Sequence, residues 1–144
     1  VGGIHFNGED LAVESNQVSL HATEKDQFNL PIPILNLDDH PNDLSMRCYA
    51  NQRSVDGLQS AGAIRILKSP PTPASHNLGT CRMSDSADKG VVNKWGQSHE
   101  ISNLFVSDGS QFVSSTAANP TCLIVALAIR QSRYITEQMA SGNL

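Results

Sequence analysis

Apolar and polar residues alternate in Asn16-Gln-Val-Ser-Leu20, just after the turn-prone Glu14-Ser15, and this period of two predicts a short strand half-buried on one face. In Leu30-Pro-Ile-Pro-Ile-Leu-Asn-Leu37 apolar residues again fall at every second position, around two prolines. Proline cannot donate to a ladder, so this stretch reads as an edge strand or an extended segment. Asp39-His40-Pro41-Asn42-Asp43-Leu44 announces a helix, with Pro at the first helical position and acids in the first turn. Leu44, Cys48, Val55 and Leu58 continue it at helical spacing to a glycine stop in Ala61-Gly62-Ala63, as in an amphipathic surface helix that serves as scaffold.

Lys68-Ser-Pro-Pro-Thr-Pro-Ala-Ser75 has three prolines in six positions and excludes regular structure before His76. Residues 76–101 are rich in Gly, Asp, Ser and Asn, with a turn expected at Trp95-Gly96. A long irregular segment inside a compact domain is usually functional or disordered. In residues 102–110 an apolar centre, Leu104, Phe105 and Val106, runs into Asp108-Gly109, the pattern of a buried strand entering a tight turn. The last element is the clearest: Asn119 is a good N-cap, Pro120 takes the first helical position, and Leu123, Ile124, Leu127 and Ile129 lie among helix formers reaching about Met139. Few polar residues precede Arg130, which predicts a first half packed on most sides.

Composition narrows the partners rather than the function. The 144 residues, 39% hydrophobic and 17% charged, suit one compact domain. A net charge of −4 with only 10 scattered Lys and Arg excludes a nucleic-acid partner and gives an anionic membrane little to attract. No run of about 18 apolar residues would span a bilayer and no leader is apparent, so a soluble protein, cytoplasmic or periplasmic, is expected. The start, Val1-Gly2-Gly3-Ile4-His5-Phe6, lacks Met and reads as a cut end. Cys48, Cys81 and Cys122 are widely spaced and form no CxxC pair, so neither a disulfide framework nor a zinc site is expected.

Two stretches place polar or titratable residues where the backbone is irregular: His76-Asn-Leu-Gly-Thr-Cys-Arg-Met83, and Ser107-Asp108-Gly109-Ser110 followed by Ala117-Ala118-Asn119-Pro120-Thr121. Taken alone, each has a bland explanation. A loop histidine is most often a solvated or hydrogen-bonded structural residue, Asp-Gly is an ordinary turn pair, and Asn-Pro at a helix start is an ordinary cap. Arg82 suits a structural ion pair better than a phosphate site.

In sequence order, these stretches together with Gly90-Val-Val-Asn93, Asn103-Leu-Phe-Val-Ser-Asp-Gly-Ser110 and Ile124-Val-Ala-Leu-Ala-Ile-Arg130 cover more than 50 positions. Their order and spacing resemble the C-terminal signature of the glucose-methanol-choline (GMC) family of FAD-dependent oxidoreductases. The upstream half is similar to that family's substrate domain, most of all in the bacterial sugar-acid and polyol dehydrogenase branch. The resemblance implies an α+β piece in which residues 1–75 belong to the substrate-binding domain, as a sheet edge with a helix. Residues 76–144 would then supply the catalytic loop and the closing strand and C-terminal helix of the FAD domain.

It further implies oxidation of an alcohol, such as a sugar, polyol or sugar acid, by hydride transfer to FAD. His76 takes the position of the general base and Asn119 that of a second histidine or asparagine, while Asp108, Gly109, Asn119, Pro120 and Thr121 fall beside the flavin. A neutral imidazole with an intrinsic pKa near 6.5 suits removal of a hydroxyl proton near neutral pH. Asparagine can only donate to the substrate oxygen. His5, His21, His40 and His99 match no catalytic position of the family.

No Gly-x-Gly-x-x-Gly string is present, so the ADP half of FAD would need the rest of the flavin domain, in the same or another polypeptide. An alcohol substrate and an electron acceptor, for instance a protein, would be the other partners. Two rival readings stay open: a non-catalytic small subunit, and a structural or interaction domain in which the His loop and Asn-Pro helix are only turns and caps.

Overall fold

The computed structural model describes residues 2–70, 75–115 and 117–144. Pro71 and Pro73 of the proline-rich stretch lie outside them. The described chain is α+β: strands β1 (Gln17–Lys25) and β2 (Pro31–Asn36) form an antiparallel two-stranded sheet, followed by helices α1 (Pro41–Ser60) and α2 (Thr121–Ala140). Gln17 pairs with Asn36 and Leu20 with Pro33, after which the ladder slips so that Lys25 meets Pro31. The prolines, which lack an N–H, sit at the slip. β1 runs further than the alternation suggested, and its apolar positions are not half-buried: Val18 and Leu20, like Leu35 of β2, are open to solvent.

α1 starts as its sequence dictates. Pro41 occupies the first turn, and the imidazole Nδ1 of His40 accepts from the Asn42 amide at 3.1 Å. It stops at Gly62, whose φ of +83° lets the Gly62 amide reach the Gln59 carbonyl (2.9 Å) and the Ala63 amide the Leu58 carbonyl (3.0 Å). α2 ends the same way at Gly142, φ +72°. The covered face of α1 follows the predicted stripe only in its second half, where Val55 and Leu58 are partly covered. Leu44 and Cys48 are exposed, whereas Asp43 is buried and Met46, Arg47 and Ala50 are partly covered.

The reason is that residues 8–11 lie on this side. The Leu11 amide donates to Asp43 Oδ1 (3.3 Å), and a Cβ on Gly8 would overlap the end of Met46. Around this contact Arg47 is bonded to Asp39, and burial followed by the charge of Asp43 pushes the Asp10 carboxyl above its ordinary value.

Residues 81–112 fold by loop-to-loop hydrogen bonds instead of by the strand expected at Leu104–Phe105–Val106. Only isolated bridges form, Met83 with Val92, Val92 with Ser98 and Gln97 with Phe105. A strand needs a neighbour along its length, and here the neighbour turns away at Gly96 after one pairing. The turn at Trp95-Gly96 is as predicted: the Gly96 amide donates to the Asn93 carbonyl (2.8 Å), and Asn93 Oδ1 accepts from the Trp95 amide (2.8 Å). Val92, fully buried, and Phe112 are the buried apolar residues described; Gln111 and Gln131 are buried beside them.

α2 docks on this loop unit by one face. Gln131, 5% exposed, donates through Nε2 to the carbonyls of Trp95 (3.1 Å) and Val106 (2.8 Å). Tyr134, one turn on, stacks on Trp95 with ring centroids 4.7 Å apart. Leu123, Val125 and Ile129, on the other faces, remain about half exposed, so the first half of α2 is packed on one side and not on most.

Gly96 has a φ of +72°, and a Cβ there would run into Gln131 Nε2 and come within 2.7 Å of the Val106 carbonyl oxygen. Gly62 has a comparable φ but open space around it. Gly62→Ala should therefore cost about 1–2 kcal/mol for the left-handed backbone alone. Gly96→Ala should cost roughly 1–3 kcal/mol more, because a packed, buried amide must move. Urea midpoints followed by circular dichroism decide this; equal losses would show that Gly96 is needed for its backbone only.

Candidate functional site

The segments singled out by sequence converge on Gly109. Asp108 has extended backbone and caps a single 3-10 turn, Gly109–Gln111: its Oδ1 accepts from the Ser110 amide (2.8 Å) and from the Ser110 hydroxyl (2.5 Å). This turn presents its carbonyls to the His76 segment, where the Cys81 amide donates to Ser110 (2.9 Å) and the Met83 amide to Gln111 (2.8 Å). Gly79, φ +88°, makes the close approach possible beside the Phe112 carbonyl.

The approach is closest at Gly109, which is buried. A Cβ at that position would lie 2.5 Å from Leu78 Cδ2, 3.3 Å from Ile124 Cδ1 and 3.7 Å from the Asn77 carbonyl oxygen. One glycine thus sits between the residues that follow His76 and the first turn of α2. Any side chain would push them apart.

His76 is half-buried, and its ring has no hydrogen-bond partner among the described residues. Asn119 is exposed, and the cap it was expected to provide is not formed. Pro120, buried and already in helical conformation, stands at the N-cap position, its carbonyl accepting from the Ile124 amide (3.0 Å), with no side-chain cap bond. Pro120 is therefore one position earlier relative to the helix than predicted, a shift of the size by which helix ends are defined. α2 also carries no acid in its first turn. Its amide donors there are left to water or to a ligand, and they carry the positive end of the helix dipole.

Three of the other histidines, His21, His40 and His99, are tied into the scaffold. His99 Nε2 is 3.1 Å from Ser84 Oγ, and because that hydroxyl donates to the Ser86 carbonyl (2.6 Å) the imidazole is the donor. His21 Nδ1 accepts from the Glu24 amide (2.9 Å), and His40 caps α1. Arg82 Nε donates to the Lys89 carbonyl (2.9 Å), a structural bond. Cys48, Cys81 and Cys122 are free thiols.

Sequence reasoning passed over three sets of residues: the buried glutamines 111 and 131, the loop serines 114 and 115, and Glu9 with Asp10. Asp10 and Ser115 are 105 positions apart, as are Glu9 and Ser114, and no local pattern announces their pairing.

Residues 12–128 match the family model described as GMC oxidoreductase. The chain belongs to the GMC oxidoreductases. This GMC region is 39% identical over 137 residues to 2-methyl-1,2-propanediol dehydrogenase of Mycolicibacterium austroafricanum, covering 92% of the chain and 25% of the relative. It is 38% identical over 143 residues to C-glycoside 3-oxidase of Arthrobacter globiformis, covering 96% and 27%. With the fructose dehydrogenase large subunit of Gluconobacter japonicus it shares 29% over 140 residues, covering 96% and 26%. The chain thus spans about a quarter of the length of these relatives. A relative that is itself a polyol dehydrogenase agrees with the branch the sequence resembles. No helix among the described residues is long and apolar enough to cross a membrane.

The capping bonds from Ser110, hydroxyl first and amide second, hold the Asp108 carboxyl below its ordinary value. Since the folded value lies below the unfolded one, the stabilisation is complete above the unfolded value and is lost as pH falls through the folded one. A carboxyl-detected NMR titration should place the Asp108 midpoint below that of a free aspartate, and Ser110→Ala should move it back up. An unchanged midpoint in Ser110→Ala would mean that the hydroxyl does not set it.

Proposed function

We propose that this GMC region supplies the alcohol-activating half of an FAD-dependent oxidoreductase that oxidises a CH–OH group, for instance of a polyol, sugar or sugar acid. In this reading residues 1–75 belong to the substrate-binding domain and residues 76–144 complete the FAD domain. The observation that carries it is the convergence at Gly109 of the His76 segment, the Asp108-Gly109 turn and the start of α2.

The residues at this meeting point fit a flavin. The start of α2 has neither a capping side chain nor an acid, so the donors of its first turn, around Thr121, suit an electron-rich group. Gly109 allows backbone approach next to Asp108, and Pro120 and Asn119 complete the contact set. GMC oxidoreductases are generally FAD-dependent, and FAD, when bound, supplies the hydride acceptor.

The chain's own residues then prepare the donor. His76, whose ring has no hydrogen-bond partner among the described residues, takes the proton from the substrate hydroxyl as hydride leaves the adjoining carbon. Asn119 donates its amide N–H to the same oxygen and keeps it within reach of His76. The dipole of α2 offsets negative charge that accumulates at its N-terminal end.

Two measurements test the reading. The 144-residue chain, which has no Gly-x-Gly-x-x-Gly cradle, should retain little FAD after dialysis; a stoichiometric flavin spectrum would show that it binds FAD without one. In the flavin-loaded holoenzyme, His76→Ala should slow flavin reduction by the alcohol on the order of 100- to 10,000-fold at equal flavin occupancy. Asn119→Ala should cost less, since it leaves the base in place. A His76→Ala rate within threefold of the parent in stopped flow removes His76 from the mechanism.

A further inference from the structure

The approach to Asn119 from the 3-10 turn is held from a distance. Val113 is exposed, and what secures the two residues after it is the N-terminal segment. The Asp10 amide donates to Ser115 Oγ at 2.7 Å, the Ser115 amide donates to the Asp10 carbonyl at 3.3 Å, and the Ser114 hydroxyl donates to Glu9 Oε1 at 2.7 Å. Ser115 and Asp10 thus grip each other in both directions, one residue using its hydroxyl and amide and the other its two backbone groups.

The gripping segment is itself anchored. The Leu11 amide is bonded to the buried Asp43 in the first turn of α1, Gly8 lies against Met46 on the next turn, and Arg47 beside them holds Asp39. Backbone bonds of this kind fix direction better than apolar contact does, because both distance and angle are constrained. The connection runs without a gap from α1 through residues 8–11 to Ser115, four residues before Asn119.

We infer that Ser115 is a positioning residue: its paired bonds with Asp10 carry the placement of the α1 unit to the loop that presents Asn119, so residues 1–75 set the angle at which the Asn119 amide meets the substrate. The inference rests on the reading of Asn119 given above. Alanine at 115 keeps the backbone bond and loses the hydroxyl acceptor, while threonine keeps both. That difference separates positioning from bulk.

In the flavin-loaded holoenzyme, Ser115→Ala should lower the limiting rate of flavin reduction about tenfold and weaken apparent alcohol affinity at unchanged flavin occupancy, since small misplacements of an orienting group are costly. Ser115→Thr should return to within threefold of the parent. In an Asn119→Ala background, adding Ser115→Ala should change the rate less than about twofold, because nothing remains to be positioned. A Ser115→Ala rate within twofold of the parent overturns the inference. So does a loss of equal size in both backgrounds, which would mark general damage.

Asn119→Ala reducing flavin at the parent's rate is a separate outcome. It removes Asn119 from the proposed function and this inference with it. Should Ser115→Ala fail to load flavin, hydrogen exchange in the 144-residue chain takes its place. The Asp10 amide, which loses its acceptor, should exchange faster in Ser115→Ala and at the parent's rate in Ser115→Thr, and unchanged exchange in Ser115→Ala overturns the inference.

Discussion

A buried amide, with little apolar burial to assist it, holds the C-terminal helix to the rest of the chain. Gln131 places both protons of its side-chain nitrogen on backbone carbonyls, of Trp95 and of Val106, that come from opposite ends of one loop. Losing the amide would leave two carbonyls to find water or stay unpaired, at roughly 1–3 kcal/mol for each one left buried. Two helical turns earlier, on the same face, Ile124 meets Gly109. The bond that fixes the azimuth of α2 at Gln131 therefore also decides how its first turn meets the Asp108-Gly109 turn and the His76 segment. Gly96 is the condition for this, since only a residue without Cβ leaves room for the amide.

The division between closed and open surface follows. Residues 81–112 are closed by backbone bonds around Val92 and the glutamines, whereas the apolar residues of the β1–β2 sheet and of the outer side of α2 face solvent. Leu20, Leu35 and Leu37 in one unit and Leu123, Val125 and Ile129 in the other are a large apolar exposure for a chain this short.

What the sequence made legible was punctuation. Prolines and glycines act on their own neighbours, so the start of α1 at Pro41, its stop at Gly62, the turn at Gly96 and the position of α2 could be read from a few residues each. Facing was less legible. The predicted stripe of α1 failed at Leu44 and Cys48 because the segment that covers α1, residues 8–11, is held by its own backbone amide on the Asp43 carboxylate and has no apolar pattern to match. The strand at Leu104–Val106 failed because its partner turns away at Gly96. In the candidate site, His76, Asp108, Gly109 and Asn119 stood out by residue type and order, but the approach of Leu78 and Ile124 to Gly109 joins segments that no local pattern pairs.

Trp95 lies at the edge of all this, and it is the one tryptophan in the sequence. Its indole is parallel to the Tyr134 ring, within 3°, while the Arg130 guanidinium and the Lys94 ammonium lie 5.2 and 5.4 Å from its centre. Tyr134 and Arg130 both come from α2, so release of the helix would strip the indole of a stacked phenol and a cation in one event. Changes confined to the β1–β2 sheet or to α1 touch neither. The chain thus carries an optical gauge of one joint: its ultraviolet emission registers whether α2 is seated, and little else.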